Sequence, residues 1–372
     1  MKTTGKEEMK NVLVVATTPL RTDGLTAVLT QMAETAAEQH RISFALGEGA
    51  TPEIQTKLEK IGNVHQMPSR RGSPAAYFQA LSKLAKTGNS ADGEFDIVHI
   101  HGNSATMAID LAATRRIPCR ISHVHNCAEQ PKMKQKTLGK IMNRLVTHPA
   151  ACSKASGERM YTRPFTVLTN GIDCERFRFR QQIRSEARKQ LALESDTLAI
   201  GHIGQFNEQK NQARLIRIFR EVLKQQSKAK LILCGGGERL EACKSLAEEL
   251  EKNERTRDTI LFVPETQKPE ELYAAFDLFV MPSRFEGLPL AGIEAQASGL
   301  PCLFSDTITR ETQILESCRF IPLTASDREW AEAITETAKT VRPDTRESCA
   351  DAVIAAGYDL QTTRRQVLEL YG

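Results

Sequence analysis

The stretch MPSRFEGLPLAGIEA, residues 281–295, decides the fold and organises the rest of the chain around it. The apolar run 278–281 predicts a buried strand that ends at a Pro-Ser pair. Pro289 stands where a first-turn proline is tolerated, and apolar residues follow it at helical spacing, Leu290, Ile293, Ala297 and Leu300. Glu286 is therefore predicted in a loop and Glu294 on the first turns of a helix. At about 1.5 Å per helical residue, their carboxylates are expected to lie roughly 8–10 Å apart.

The segment between the two acids predicts a site for an anion. It supplies the free N–H groups of a helix N-terminus, which carries partial positive charge and binds phosphate readily. Carboxylates in turn accept hydrogen bonds from sugar hydroxyls. An anion site between two such acceptors fits a nucleotide-sugar. The alternative is a solvent-facing Glu286 and an ordinary surface Glu294 on an amphipathic helix. The predicted binding residues are Glu294 and, around the helix start, Gly287, Leu288, Pro289 and Leu290.

The string Pro-Ser-x-x-Glu-Gly-x-Pro-Leu with a second Glu eight positions after the first resembles the E-x7-E signature of retaining glycosyltransferases of family 4. The resemblance covers nearly the whole chain and is closest to bacterial exopolysaccharide or capsule glycosyltransferases. It implies the α/β GT-B fold, in which two Rossmann-like doubly wound domains face a central cleft. Residues 1–178 would form an acceptor-binding domain, completed by a C-terminal helix within 356–372 that crosses back. Residues 179–355 would bind the nucleotide-sugar.

Composition indicates a globular protein with two domains. The chain has 372 residues, of which 40% are hydrophobic and 26% charged. A net charge of +4 and an aromatic content of 5% do not indicate a nucleic-acid-binding protein. Nine cysteines without a C-x-x-C pair favour a reducing cytoplasm and argue against a zinc cluster. The polar leader 1–10 is expected to be disordered, and Met9 is an alternative start.

Short apolar runs alternate with helical stretches throughout, which predicts parallel α/β sheets. The terminal helix, residues 358–371, resembles the one that crosses between the domains of GT-B proteins. The strand-like runs are 11–16, 42–46, 97–100, 119–124, 150–152 and 165–168, then 197–203, 230–234, 260–263, 278–281, 301–304 and 319–321.

The first predicted strand is followed by Gly24 and a helix, the arrangement that receives phosphates in doubly wound folds. It resembles the first loop of the family, although many members have paired glycines there. Gly24 is therefore a candidate substrate-binding residue, and an ordinary connecting turn is the alternative.

Two His-x-His pairs lie at predicted strand ends, where ligands gather in open α/β sheets. They are His99 with His101, and His123 with His125. Such a pair can bind a metal, but no third ligand is evident beside either, and buried core histidines are the ordinary explanation. The resemblance implies that His125 is a catalytic residue near the reacting sugar and that His101 contributes to substrate binding.

The second domain opens with a strand that leads into Gly204 and Gln205, with Lys210 just before the next helix. This block resembles the family's phosphate clamp of one Arg and one Lys. The resemblance implies that Lys210 is catalytic and that Gly204 and Gln205 bind substrate. Gln205 stands where the family has Arg, which removes one positive charge and puts the turnover rate in doubt.

Residues 132–148 combine basic and apolar residues at helical spacing, among them Lys132, Lys136, Lys140 and Arg144. This pattern predicts a helix that contacts an anionic membrane surface, or an ordinary helix with a solvated basic face. No apolar run reaches the length of a membrane span. A cytoplasmic protein is expected. The partners that this pattern suggests are the inner face of the cell membrane and a lipid-linked acceptor.

The resemblance implies transfer of a sugar, with a UDP-sugar favoured, to a saccharide or lipid-linked acceptor with retention of configuration. Catalytic Glu286 would bind hydroxyls of the transferred sugar and Glu294 the ribose. No Asp-x-Asp is present, so no metal or other cofactor is expected. Two alternatives remain: a sugar-nucleotide 2-epimerase of GT-B-like fold, and a partner subunit of low activity.

Overall fold

The computed structural model describes residues 9–88, 93–126, 133–252, 257–340 and 345–372, with the backbone alone at 133–135. The chain divides into two compact units. The first comprises Met1–Gly171 with Gln361–Gly372, and the second comprises Ile172–Leu360. Most of the predicted disordered leader, residues 1–8, and Lys132 of the predicted basic helix lie outside the described residues.

The first unit is built on a seven-stranded parallel sheet with the strand order β3-β2-β1-β4-β5-β6-β7. Its central strands are almost entirely buried, because helices cover both faces of a parallel sheet. The strands are β1 (Asn11–Ala16), β2 (Arg41–Leu46), β3 (Asn63–Gln66), β4 (Ile97–Gly102), β5 (Cys119–Val124), β6 (His148–Ala151) and β7 (Thr166–Val167). The helices are α1 (Gly24–Ala36), α2 (Pro52–Ile61), α3 (Pro74–Thr87), α4 (Met107–Ala113), α5 (Met133–Leu145) and α6 (Lys154–Met160).

The second unit repeats this architecture with a six-stranded parallel sheet in the order β10-β9-β8-β11-β12-β13. The strands are β8 (Leu198–Ile203), β9 (Ala229–Cys234), β10 (Ile260–Val263), β11 (Leu278–Met281), β12 (Cys302–Ser305) and β13 (Cys318–Ile321). The helices are α7 (Cys174–Phe177), α8 (Gln181–Gln190), α9 (Gln212–Gln225), α10 (Leu240–Leu250), α11 (Pro269–Ala275), α12 (Leu290–Ala297), α13 (Asp327–Ala338) and α14 (Cys349–Ala355). The two doubly wound α/β units confirm the predicted fold class.

The last helix, α15 (Leu360–Tyr371), returns to the first unit. Lys10 Nζ donates a hydrogen bond to the carbonyl oxygen of Tyr371 at 2.6 Å. Near the other end of the helix, Gly171 N donates to Thr363 Oγ1 at 2.8 Å. The predicted return of the C-terminal helix to the first domain is therefore confirmed.

The first unit ends at residue 171, whereas the predicted boundary was at 178. The side chains between these positions pack on the second unit. Arg176 pairs with Glu270 at 2.8 Å, and the ring of Phe177 meets that of Tyr273 edge-on with centroids 5.7 Å apart. The second boundary falls after Leu360 rather than after residue 355.

Some elements differ from the sequence-based expectations. The edge strand β3 was not predicted, because its sequence NVHQ has no apolar alternation. Helix α12 ends at Ala297 and does not extend to Leu300, since Gly299 adopts a left-handed φ of +67°. The predicted basic helix ends at Leu145, and His148 begins β6.

Within the described parts of the chain, no helix has both the length and the apolar character needed to cross a membrane. The eight cysteines of these parts are all free thiols.

Candidate functional site

Two loops of the second unit, after β8 and after β9, are packed backbone to backbone. Phe206 N donates a hydrogen bond to the carbonyl oxygen of Gly236 at 2.7 Å. Gly237 has a φ of +142°, and a Cβ at this position would lie 2.5 Å from the carbonyl oxygen of Phe206. Only glycine tolerates this conformation and this approach. The contact fixes the course of loop 204–210, which carries three of the predicted site residues.

Gly204 and Gln205 lie at the start of this loop. Gln212, the first residue of α9, donates from Nε2 to the carbonyl oxygen of Gln205 at 2.8 Å and towards that of Gly204 at 3.4 Å. The side chain of Gln205 is neutral, whereas Lys210 brings a positive charge next to Gly204.

Lys210 and Glu286, both predicted site residues, form an ion pair. Lys210 Nζ lies 2.7 Å from Glu286 Oε1, and the two side chains are only 18% and 6% exposed. Gln209 Nε2 donates to the other carboxylate oxygen of Glu286 at 3.0 Å. Because an ionised carboxylate has about four acceptor positions, Glu286 can hold the ammonium group and still accept a hydrogen bond from a ligand hydroxyl.

Two asparagine side chains fix the Lys210 loop, one from within it and one by a hydrogen bond to the segment that leads to Glu286. Lys210 N donates to Asn207 Oδ1 at 2.9 Å, and Asn211 Nδ2 donates to the carbonyl oxygen of Pro282 at 3.0 Å. Asn211 has a φ of +61°, a left-handed conformation that asparagine tolerates better than most residues. Neither asparagine was predicted as a site residue from the sequence, since polar loop residues resemble solvated surface residues.

The N-terminus of α12 follows Glu286 directly. Pro289 is the N-cap residue and Leu290 begins the helix, so the proline lies one position before the predicted first turn. Proline has no side-chain acceptor, and the first turn contains no acidic residue. The N–H groups of this turn therefore carry uncompensated partial positive charge. Gly287 and Leu288 complete the segment, and Leu288 anchors it as a buried side chain.

Glu294 lies on α12 and accepts a hydrogen bond at Oε2 from the hydroxyl of Tyr273, 2.8 Å away. Tyr273 belongs to α11 and is fully buried. Burial raises the pKa of Glu294, and the hydrogen bond from Tyr273 opposes this rise. Tyr273 fixes one carboxylate oxygen and leaves the other for a ligand. Tyr273 was not predicted from the sequence, because a tyrosine among apolar helix residues resembles an ordinary core residue.

His202 on β8 is a further residue that the sequence analysis missed. Its Nδ1 meets the carbonyl oxygen of Val280 at 2.8 Å, and since a carbonyl only accepts, Nδ1 carries the proton. Nε2 has no partner among the described residues. A Cβ built on Gly204 would lie 3.6 Å from this Nε2, and 3.5 and 3.4 Å from Cδ and Cε of Lys210. His202 Nε2 and the stem of Lys210 therefore both lie beside Gly204. Burial lowers the pKa of His202 to about 4, so Nε2 is a neutral acceptor.

In the first unit, Gly24 is the first residue of α1 and Asp23 is its N-cap. The Asp23 carboxylate accepts a hydrogen bond from Thr26 N at 2.9 Å. An acid at this position already compensates the positive end of the helix, which leaves less charge for a phosphate. The substrate-binding role of Gly24 stays a prediction.

His101 and His125 meet on one face of the first sheet. The distance from His101 Nδ1 to His125 Nε2 is 2.9 Å, and the rings stack with centroids 5.1 Å apart. Burial lowers the pKa of His125 to about 3, so its imidazole is neutral at physiological pH. His99 and His123 adjoin them, so each His-x-His pair has ring nitrogens of the other pair beside it that could serve as further metal ligands. The catalytic role of His125 and the substrate-binding role of His101 stay predictions.

Two protein-family models match the chain. The model described as Glycosyltransferase Family 4 matches residues 22–176, which cover most of the first unit and the first five residues of the second. The model described as Glycosyl transferases group 1 matches residues 183–352, within the second unit.

Individual proteins resemble the chain over its length or a large part of it. EpsF of Bacillus subtilis (strain 168), named as a glycosyltransferase, is 32% identical over 325 residues, which cover 83% of this chain and 82% of EpsF. The Escherichia coli UDP-Gal:alpha-D-GlcNAc-diphosphoundecaprenol alpha-1,3-galactosyltransferase is 26% identical over 232 residues, 57% of this chain and 58% of that enzyme. Anabaena HepE, solved in complex with UDP-glucose, has a TM-score of 0.78 at 18% identity and covers 97% of this chain and 98% of HepE. At this identity the similarity to HepE shows the fold.

Proposed function

Because this chain belongs to the group 1 and family 4 glycosyltransferases and has their GT-B fold, we propose that it transfers a sugar from a UDP-sugar to a saccharide or lipid-linked acceptor with retention of anomeric configuration. The reaction would serve the synthesis of a surface polysaccharide. One observation carries the proposal: the ion pair joins Lys210, in the loop before α9, to Glu286, in the loop that leads to the uncapped N-terminus of α12.

The donor diphosphate would bind between Lys210 and the first turn of α12. As the bond to the sugar breaks, negative charge develops on the departing phosphate. A fixed ammonium group and oriented N–H groups stabilise that charge without rearranging. Because these groups already supply positive charge, the donor site would need no divalent cation or other cofactor.

The carboxylates would position the two sugars of the donor. Glu286 would accept hydrogen bonds from hydroxyls of the transferred sugar while it holds Lys210, and Glu294 would bind the ribose. His202 would add a neutral acceptor beside Gly204, suited to a donor hydroxyl or to the ammonium group of Lys210. We assign no protein general base, since the leaving phosphate can take the proton of the acceptor in a retaining transfer.

The acceptor would bind the first unit, where Gly24, His101 and His125 are the candidate contacts.

The exposed basic face of α5, formed by Lys136, Lys140 and Arg144 with the exposed Ile141, suits peripheral contact with an anionic membrane from the cytoplasmic side. The acceptor and donor in the name of the E. coli relative, a diphosphoundecaprenol and UDP-Gal, support a lipid-linked acceptor and a UDP-sugar. Co-sedimentation with phosphatidylglycerol vesicles, but not with neutral vesicles, is expected for the wild type and reduced for K136Q/K140Q.

A thermal-shift panel of UDP-, GDP- and ADP-sugars, with and without magnesium, tests the donor assignment. A ligand that binds only the folded state raises its unfolding midpoint. One UDP-sugar is expected to give the largest rise, which magnesium leaves unchanged. If none of the donors raises the midpoint, the assignment is wrong.

The neutral Gln205 motivates a second candidate, a partner subunit that binds a donor and has lost turnover. Gln205→Arg restores the charge that the family has at this position. If the chain is an active enzyme, the wild type releases UDP from the donor at a measurable rate, and the substitution should increase that rate or leave it unchanged. No turnover in either form with any donor that binds would favour the partner subunit. A 2-epimerase would instead convert UDP-GlcNAc without an acceptor.

A further inference from the structure

Four histidines of the first unit lie side by side on one face of the sheet. His99 and His101 are alternate residues of β4, while His123 lies on β5 and His125 directly follows it. In the parallel register, His101 is opposite His123. Alternate residues of a strand point to the same face, so the two pairs form one group of adjacent rings. We refer to these four residues as the histidine cluster.

The histidine cluster is buried, and several of its ring nitrogens have no partner. His99, His101 and His123 are at most 1% exposed, and His125 is 8% exposed. Nε2 of His99, Nδ1 of His125 and both ring nitrogens of His123 are buried without a hydrogen-bond partner among the described residues. Buried polar atoms are nearly always satisfied in folded proteins, and leaving one unsatisfied costs about 1–3 kcal/mol. This concentration of unpaired ring nitrogens indicates that the cluster binds a ligand.

The existing hydrogen bonds orient the rings in the way that metal sites require. His99 Nδ1 is bonded to the hydroxyl of Tyr371 at 2.8 Å, which leaves Nε2 free. His101 Nδ1 is bonded to His125 Nε2, which leaves Nε2 of His101 on the opposite side of the ring. Histidine ligands typically use one nitrogen for the metal and hold the other in a hydrogen bond. Tyr371 and His125 would therefore act as the outer partners of the ligands.

We propose that the histidine cluster binds one transition-metal ion of the zinc class through His99, His101 and His123. One ligand nitrogen from each of the three lies within 4.8 Å of the others. Zn–N bonds of about 2.0–2.1 Å place the nitrogens of a tetrahedral site ~3.4 Å apart, a distance that small ring rotations can reach. Imidazole ligands suit zinc, copper and nickel, whereas magnesium and calcium prefer oxygen.

The metal would tie β4 to β5 and, through His99 and Tyr371, to the C-terminal helix α15. The site belongs to the first unit by itself and does not depend on the donor site proposed for the second unit.

Metal analysis of the untagged full-length protein tests the proposal without any activity assay. The protein is stripped with a chelator, incubated with Zn²⁺, desalted and analysed by mass spectrometry for bound zinc. We expect about one equivalent per chain, and a rise in unfolding midpoint that depends on zinc concentration. Titration with Co²⁺ should give the visible absorption of a nitrogen-coordinated ion, saturating at about one equivalent.

The variant H99N/H123N removes two ligands and should lose both the bound zinc and the Co²⁺ spectrum. H148N is the matched control, since His148 is exposed and lies outside the histidine cluster. If the double variant fails to fold, as circular dichroism would show, the single variant H123N and the wild-type Co²⁺ titration decide the question. Negligible binding by the wild type would overturn the proposal, as would equal zinc retention by wild type and a folded ligand variant.

Discussion

Replacing Lys210 by methionine tests the role of the ion pair at the donor site. Methionine keeps an unbranched stem against Gly204, where Cδ and Cε of Lys210 now pack, and removes the positive charge. If Lys210 stabilises the departing diphosphate, its loss removes one fixed electrostatic contact from the transition state. Such a loss costs about 2.7–4 kcal/mol, which corresponds to about 10²–10³-fold in turnover.

The same substitution also leaves the Glu286 carboxylate without its counter-ion, with the hydrogen bond from Gln209 still in place, and the Glu286 side chain is only 6% exposed. Breaking a buried pair by removing one partner costs about 3–5 kcal/mol of folding stability, whereas neutralising both partners costs much less. K210M should therefore unfold at a lower temperature than the wild type, and K210M/E286Q should recover most of that loss. The double variant should nevertheless be no more active than K210M, because it also lacks the Glu286 carboxylate proposed to bind the transferred sugar. Recovered stability is therefore not expected to restore turnover.

The assay is UDP release from the donor selected by the thermal-shift panel, at saturating donor and at a temperature where all variants are folded. K244M serves as the control, since Lys244 is an exposed partner of Glu241 far from these loops in sequence. Turnover by K210M or K210M/E286Q within about threefold of the wild type would refute the reasoning, because the charge would then contribute less than ~1 kcal/mol to the transition state.

Three further substitutions follow from the structure. Burial raises the pKa of Glu294 in the folded state, so ionisation of this carboxyl reduces folding stability as pH rises from the ordinary carboxyl pKa to the raised one. E294Q should therefore have a higher unfolding midpoint than the wild type at pH 7, and this difference should vanish at low pH. In calorimetry, E294Q should bind the donor more weakly than the wild type. H202F keeps a ring on Phe279 and removes the free Nε2 acceptor, so the donor KM should rise by up to about tenfold. G237A places a Cβ 2.5 Å from a backbone oxygen at positive φ and should lower stability by about 1–3 kcal/mol in denaturant unfolding, whereas G236A, with no atom within 4 Å of its Cβ, should change it little.

The fold could be predicted from the sequence because its signals are local. Buried parallel strands appear as short apolar runs, and runs such as 119–124, 260–263 and 278–281 match the observed strands. The polar edge strand β3 gives no such signal, since it is only partly buried. Helix ends also depend on single residues, as Gly299 shows at the end of α12. The assignment of residues 172–178 to the second unit depends on packing partners distant in sequence, which periodicity does not report.

The candidate site was predictable only where its residues share one loop or one helix. The segment from Glu286 to Glu294 falls into this class, and the structure places Glu286 in the loop before α12 and Glu294 on the second turn of that helix. Partners supplied by other elements were missed, such as Tyr273 for Glu294 and the carbonyl oxygen of Val280 for His202. These contacts depend on strand order and helix packing, which the sequence around each residue does not contain.

The histidine cluster shows the same limit. Each His-x-His pair was recognised, but whether the pairs meet depends on the pairing of β4 with β5 and on the register of His101 opposite His123. A shift of one residue in that register would turn one pair to the other face of the sheet. The additional nitrogen ligands could therefore be identified only from the structure.

A crystal structure of the protein with UDP tests the central claim most directly. We expect diphosphate oxygens within about 3.2 Å of Lys210 Nζ and of the first N–H groups of α12, with the ribose hydroxyls at Glu294. UDP bound elsewhere, with the Lys210–Glu286 pair unchanged and the N-terminus of α12 without ligand, would contradict it.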